Sequence, residues 1–100
     1  MISIMIALES RDLELLKQIL AKYPYRFYAY GSRVKNTHKK FSDLDLCIME
    51  DIDPTSLEEI KLELEDSDIT IKIDLKSWQQ GMNDDFRSLI KNDLVAFKMD

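Results

Sequence analysis

The sequence predicts one small domain of the α/β (α+β) class, and three observations carry that expectation. Apolar residues recur at helical spacing in some segments and with a period of two in others, so helices and strands alternate along the chain. One hundred residues, 45% of them hydrophobic, suffice for a single core and leave no room for a second lobe, so a single domain over residues 1–100 is expected. No stretch is repetitive, low in complexity or linker-like.

The elements follow in chain order. Leu13, Leu16, Leu20 and Tyr23, widened by Leu15 and Ile19, form the apolar stripe of an amphipathic helix. Ser10 suits its N-cap, and Pro24 stops it by restricting Tyr23. The aromatic-rich segment Arg26 to Tyr30 reads as a short strand ended by Gly31. Val34 to Lys40 reads as a polar loop with room for one helical turn after Ser32, and Asp43 to Met49 as a second strand. Asp51-Ile52-Asp53-Pro54 breaks that strand, and Pro54 is well placed as the first residue of a helix burying Leu57, Ile60 and Leu64. Ile69, Ile71, Ile73 and Leu75 alternate with Thr70, Lys72 and Asp74, the pattern of a half-buried strand. Asn83 or Asp84 caps a last helix through Phe86, Leu89 and Ile90, and Val95 to Phe97 offers a short terminal strand.

Composition excludes several function classes. The 14 basic and 19 acidic residues give a formal charge of -5, which argues against a surface that tracks polymeric nucleic acid. The positive charge is concentrated, however: Arg33, Lys35, Lys39 and Lys40 crowd one loop of an otherwise acidic chain, as a local anion site would. Cys47 is the only cysteine, so no intramolecular disulfide forms and a reducing cytoplasm is expected. The apolar run Met1 to Leu8 lacks a basic leader and a cleavage site and is interrupted by Glu9, so neither a signal peptide nor a membrane span is expected.

The chemistry is concentrated in one motif: Gly31-Ser32, ten residues, then Asp43-Leu44-Asp45. Ordinary residue frequencies produce this pattern in so short a chain on the order of once in a thousand, so its flanking structure has to support it. Side chains at i and i+2 of a strand share a face, which aims Asp43 and Asp45 together while Leu44, Leu46 and Ile48 pack behind. Two such carboxylates repel each other unless a cation neutralises them, and oxygen-only ligands favour magnesium or manganese. Asp74, on the strand face opposite Ile71, Ile73 and Leu75, would complete a three-carboxylate cluster able to hold two divalent ions. Gly31, Ser32 and the amides that follow would receive a triphosphate, with Arg33 and Lys35 balancing charge.

Tyr30 to Ile48 resembles the signature of the minimal nucleotidyltransferase family, within the DNA polymerase β-like superfamily. The strand Ile71 to Leu75, with Trp78 and Phe86-Arg87 after it, is similar to the remainder of the family's small bacterial members, and the resemblance spans Leu13 to Phe97. It implies a polymerase β-like nucleotidyltransferase fold, a mixed β-sheet flanked by helices, and magnesium-dependent transfer of AMP from ATP. By position it makes Asp43, Asp45 and Asp74 the metal ligands and catalytic carboxylates, and Gly31 and Ser32 the triphosphate loop. Many of the smallest members are encoded beside a HEPN-domain partner and act as the antitoxin of a toxin–antitoxin pair, adenylylating a tyrosine of the RNase toxin. Such a partner implies a hetero-oligomer. One departure is Asn36, where many relatives carry glycine; asparagine tolerates left-handed backbone.

Plainer readings stand beside these. Asp43 and Asp45 alone fit a solvated strand edge, and Lys39 and Lys40 fit an ordinary loop. His38 has no second histidine or cysteine at zinc-ligand spacing and reads as a surface residue. Cys47 reads as a small core filler, Trp78 as a packing residue, and Tyr23, Tyr25, Phe27, Tyr28 and Tyr30 mostly as core, with one or two left for a base or a partner. Two other functions compete with protein adenylylation: a nucleotide-binding scaffold that neutralises its partner by complex formation, and a small-molecule nucleotidyltransferase, which would need a second lobe for its substrate.

Overall fold

The computed structural model describes residues 6–97. Four strands form one sheet in the order β3-β2-β1-β4: β1 is Phe27–Tyr30, β2 Leu44–Ile48, β3 Ile73–Ser77 and β4 Val95–Ala96. β1 runs antiparallel to β2 and β4, whereas β2 and β3 are parallel, so the sheet is mixed. A parallel pair needs a crossover, and α3 (Pro54–Asp66) supplies it. Three further α-helices, α1 (Ser10–Leu20), α2 (Ser32–Lys35) and α4 (Asp84–Ile90), and a 3-10 turn over Lys91–Asp93 complete the described order. This is the expected fold class.

Pleating divides the sheet into two unlike faces. Register sets Phe27 against Ile48, Ala29 against Leu46, and Leu46 in turn against Leu75. With Leu44 they form one face, and Leu16 and Leu20 of α1 and Ile60 and Leu64 of α3 belong to the same apolar cluster. The alternate residues, Tyr28 and Tyr30 of β1, Asp45 and Cys47 of β2, and Asp74 and Lys76 of β3, face the other way. There Tyr30 and Cys47 cluster with Met82 and with Ile90 of α4.

The helix ends show why these segments stop where they do. Pro54 occupies the first turn of α3 and Asp53 caps it, accepting from the Ser56 amide at 2.9 Å. Asn83 caps α4, accepting from the Phe86 amide at 2.8 Å. Arg87 then ties α4 to the preceding loop by donating to the carbonyls of Trp78 and Gln79, at 2.8 and 2.9 Å.

Some expectations are corrected. Ser10 lies inside α1; the cap position falls on Glu9, without a side-chain hydrogen bond. The third strand starts at Ile73 rather than Ile69. The segment before it is held instead by Asp12 of α1, 2% exposed, which accepts from the Thr70 amide and hydroxyl at 3.0 and 2.6 Å. Leu89 was expected on the buried face of α4 but is 73% exposed, because the seven-residue helix turns Ile90 inward instead. Of the N-terminal run, residues 1–5 lie outside the described residues. Ile6 is buried, and the Ala7 amide donates to the Arg33 carbonyl at 2.9 Å. No helix among the described residues is long and apolar enough to cross a membrane.

Candidate active site

The motif folds around one turn. β1 ends at Gly31, whose φ of 86° lies in the region open to glycine and costly for other residues. α2 begins at the next residue, Ser32. The turn is also too close to its neighbour for a side chain, since a Cβ on Gly31 would lie 2.5 Å from Asp45 Oδ2. Asn36 ends α2 at φ 60° and ψ 32°, the left-handed geometry expected of it.

Register brings the strand carboxylates together. Asp45 pairs with Tyr30 on one side and with Asp74 on the other, so both aspartates emerge on the same face of the sheet. Asp43, expected as the first residue of β2, is exposed and lies just before the strand, so strand alternation does not fix its side chain on the face of Asp45. The Asp45 carboxyl is held above the usual carboxylate range, first by desolvation, then by the neighbouring charge of Asp74 and, more weakly, Asp43, with Lys76 opposing. That is the electrostatic signature of a site short of positive charge.

The convergence is incomplete. Among the described residues, no group of three histidine, cysteine, aspartate or glutamate side chains is gathered tightly enough to hold an ion. One contact accounts for the position of Asp74: Lys76 Nζ donates to Asp74 Oδ2 at 2.6 Å. The donor set nevertheless fits a divalent cation. Two carboxylates stand in register on one face, one is desolvated, and an ammonium is already seated on the other.

A cavity of about 290 Å³ opens beside this pair, lined by Tyr30, Gly31, Lys35, Asp45, Lys76 and the α4 side chains Phe86, Leu89 and Ile90, with Asp93 beyond. One wall is therefore apolar and another charged. A larger cavity, about 480 Å³, runs between α3 and β3. Asp74 lines it, but Gly31 and Asp45 line only the smaller cavity, which is therefore the better candidate for the chemistry; Ser32 lines neither.

Arg33 departs from its expected role as a phosphate contact. Only 6% exposed, it donates from Nε to the Ser42 carbonyl at 3.0 Å, from Nη1 to Ala7 at 2.7 Å and from Nη2 to Lys40 at 3.1 Å. The guanidinium thus sets the course of the loop between Ser32 and Asp43, and Lys35 is the motif cation that lines the cavity. Cys47 is fully buried and its thiol is pushed up to about 12 by burial, which agrees with a packing role. Tyr30 is 3% exposed, its hydroxyl finds no hydrogen-bond partner, and burial followed by Asp45 and Asp74 keeps it protonated. Sequence reasoning missed Lys76 and the apolar wall of Phe86 and Leu89. The first had a signal, standing two residues after Asp74 and hence on its face; the wall depends on how α4 docks.

Comparison with known proteins bears on the family of the chain. The family described as "Polymerase beta, Nucleotidyltransferase" matches residues 14–99. A Haemophilus influenzae protein described as "Probable protein adenylyltransferase MntA" is 35% identical over 95 residues, covering 91% of this chain and 82% of that protein.

Proposed function

Because the chain belongs to the polymerase β nucleotidyltransferase family, we propose that it transfers AMP from ATP to a hydroxyl of a partner protein, a tyrosine of a HEPN-domain RNase toxin, in the cytoplasm. The observation that carries the transfer chemistry is the juxtaposition of Asp45 with Asp74 in register beside the Gly31 turn. The relative's description as a protein adenylyltransferase supports the choice of acceptor.

In this reading Asp43, Asp45 and Asp74 hold magnesium, or manganese, whose chemistry when bound is to polarise the triphosphate and lower the charge opposing attack. The Gly31 turn carries no side chain and lies against Asp45, so a triphosphate received by this turn and Ser32 would sit beside that carboxylate, with Lys35 lining the same cavity. Phe86 and Leu89 offer an apolar wall to the base. The acceptor oxygen bonds to the α-phosphorus, the bond to the β-phosphate breaks, and pyrophosphate leaves with its charge balanced by Lys35 and Lys76. A carboxylate of the set takes the hydroxyl proton. The work of these residues is positioning and charge placement rather than covalent chemistry.

A second reading, neutralisation by complex formation alone, is favoured by the incomplete convergence of the three carboxylates. One experiment separates the two. Purified protein is incubated with labelled ATP, magnesium and a HEPN-domain partner, and the Asp43→Ala plus Asp45→Ala variant is compared in transfer and in protection of the cell. Adenylylation predicts that both readouts are lost with the two carboxylates. Protection that persists without transfer establishes masking, and transfer that persists undiminished would falsify the roles given to Asp43 and Asp45.

A further inference from the structure

We propose that Lys76 is the built-in counter-ion of this site: its ammonium occupies the cation position at Asp74 in the free protein and passes to the triphosphate when a divalent ion and nucleotide enter. The inference rests on the reading of the site given above and assigns a positioning role to a residue outside the motif.

Four observations lead to it. Lys76 follows Asp74 by two residues in β3, so both side chains leave the same face, and the ammonium sits 2.6 Å from Asp74 Oδ2. Lys76 lines the cavity that contains Asp45 and the Gly31 turn, whereas Asp74 lines the cavity on the other side of β3. Register already sets Asp74 beside Asp45, and the ammonium links its carboxylate to the cavity. Both partners are about one-third exposed, at 35% and 38%, so the pair is screened and exchanges readily for a stronger cation. Finally, the two ammoniums lining the cavity are each paired with a carboxylate, Lys35 with Asp93 at 3.1 Å and Lys76 with Asp74, while Asp45 has no ion pair among the described residues.

The consequence is a site balanced in both states. A divalent ion drawn to Asp45 competes with Lys76 for Asp74. The displaced ammonium, on a flexible four-carbon stem, remains within the same cavity, where the triphosphate brings the negative charge it has lost. A divalent ion alone must displace the ammonium with nothing to receive it, so the cluster forms more tightly when its two ligands arrive together, which weakens unproductive metal binding by the free protein.

Wild-type protein and the Lys76→Met and Asp45→Ala variants would be titrated with manganese alone, by electron paramagnetic resonance, and with inorganic tripolyphosphate alone, by calorimetry. Methionine keeps an unbranched stem over Cys47, its register partner, and removes only the charge. Lys76→Met is expected to bind manganese about fivefold more tightly, the scale of a partly exposed ion pair, and tripolyphosphate about tenfold more weakly, the scale of a charge-assisted hydrogen bond. A purely structural lysine would not move the two affinities in opposite directions. Manganese affinity that is unchanged or weakened in Lys76→Met overturns the proposal, as does unchanged tripolyphosphate affinity. If Asp45→Ala abolishes manganese binding in the same experiment, only the role of Lys76 falls; if Asp45→Ala binds manganese like the wild type, the metal site itself is wrong. Should Lys76→Met fail to fold, the 15Nζ resonance of Lys76 in wild-type protein decides: it shifts on adding magnesium without nucleotide if the ammonium is displaced, and a resonance that stays in place overturns the proposal.

Discussion

The two faces of the same four strands have opposite physical characters. On the face toward α1 and α3, Ala29, Leu44, Leu46 and Ile48 are all 0% exposed, and the packing is apolar apart from the buried Ser77 of β3. On the face toward α4, one residue along each strand, a desolvated Asp45, an Asp74–Lys76 pair and an unpartnered Tyr30 hydroxyl sit beside an open cavity. A period of two lets one stretch of backbone serve both purposes, because substitutions on one face leave the other largely untouched. The fold is held from one side and the chemistry is mounted on the other. Stability and activity should therefore be separable residue by residue.

The hardest test of that separation is Leu46→Ala on the closed face. Deleting a fully buried leucine costs about 3 kcal/mol or more, from lost transfer energy and the cavity left behind. Urea denaturation should show the unfolding free energy falling by that amount, with a lower midpoint, while transfer per folded molecule is retained. A loss of specific activity in the fraction that remains folded would break the comparison. Gly31→Ala sharpens it from the open face. Its methyl would lie 2.5 Å from Asp45 Oδ2 and its φ would be strained, so Asp45 or the turn must shift. A shift of that size justifies a fall in transfer of about a hundredfold, with a stability loss of only about 1 kcal/mol from the left-handed backbone. Nucleotide titration and thermal melting read the two effects separately.

The smallest effect concerns charge alone. The Asp45 carboxyl is raised in the folded protein, so between its ordinary value of 3.8 and the raised one the native state binds more protons than the unfolded chain. Stability of the metal-free protein therefore falls as pH rises through that window, the reverse of the usual paired carboxylate. Asp45→Asn should melt higher than wild type at neutral pH, with the gap closing below the window. Equal melting curves at neutral pH would mean that the open face carries no electrostatic cost.

The legible part of this molecule was local. Binary pattern placed β2, because Leu44, Leu46 and Ile48 alternate with Asp45 and Cys47 as a strand does, but it began β3 four residues early. The pyrrolidine of Pro54 and the Asn83 side chain likewise announced their helix starts. The shared face of Asp45 and Asp74 was legible for the same reason. Contacts between segments distant in sequence were not. Arg33 stands next to Ser32 and suggested a phosphate ligand, yet its five donors are suited equally to carbonyls, and the return of Ala7, Lys40 and Ser42 around it supplies three. Nothing in the sequence singles out Asp12, which Thr70 reaches from 58 positions away. Leu89 fitted the helical stripe, but a helix of seven residues has too few turns to bury every apolar side chain it carries.

β3 lies at the margin of the sheet and is hydrogen-bonded to a neighbouring strand along one side only. Backbone at such a border opens to solvent at lower cost than a central strand does, by fraying short of global unfolding. Asp74 rides on that border strand, whereas Asp45 rides on an interior one. Each fraying event therefore withdraws one carboxylate while leaving the other in place, and amide exchange along Ile73–Ser77 becomes a gauge of how firmly the ligands clamp the edge.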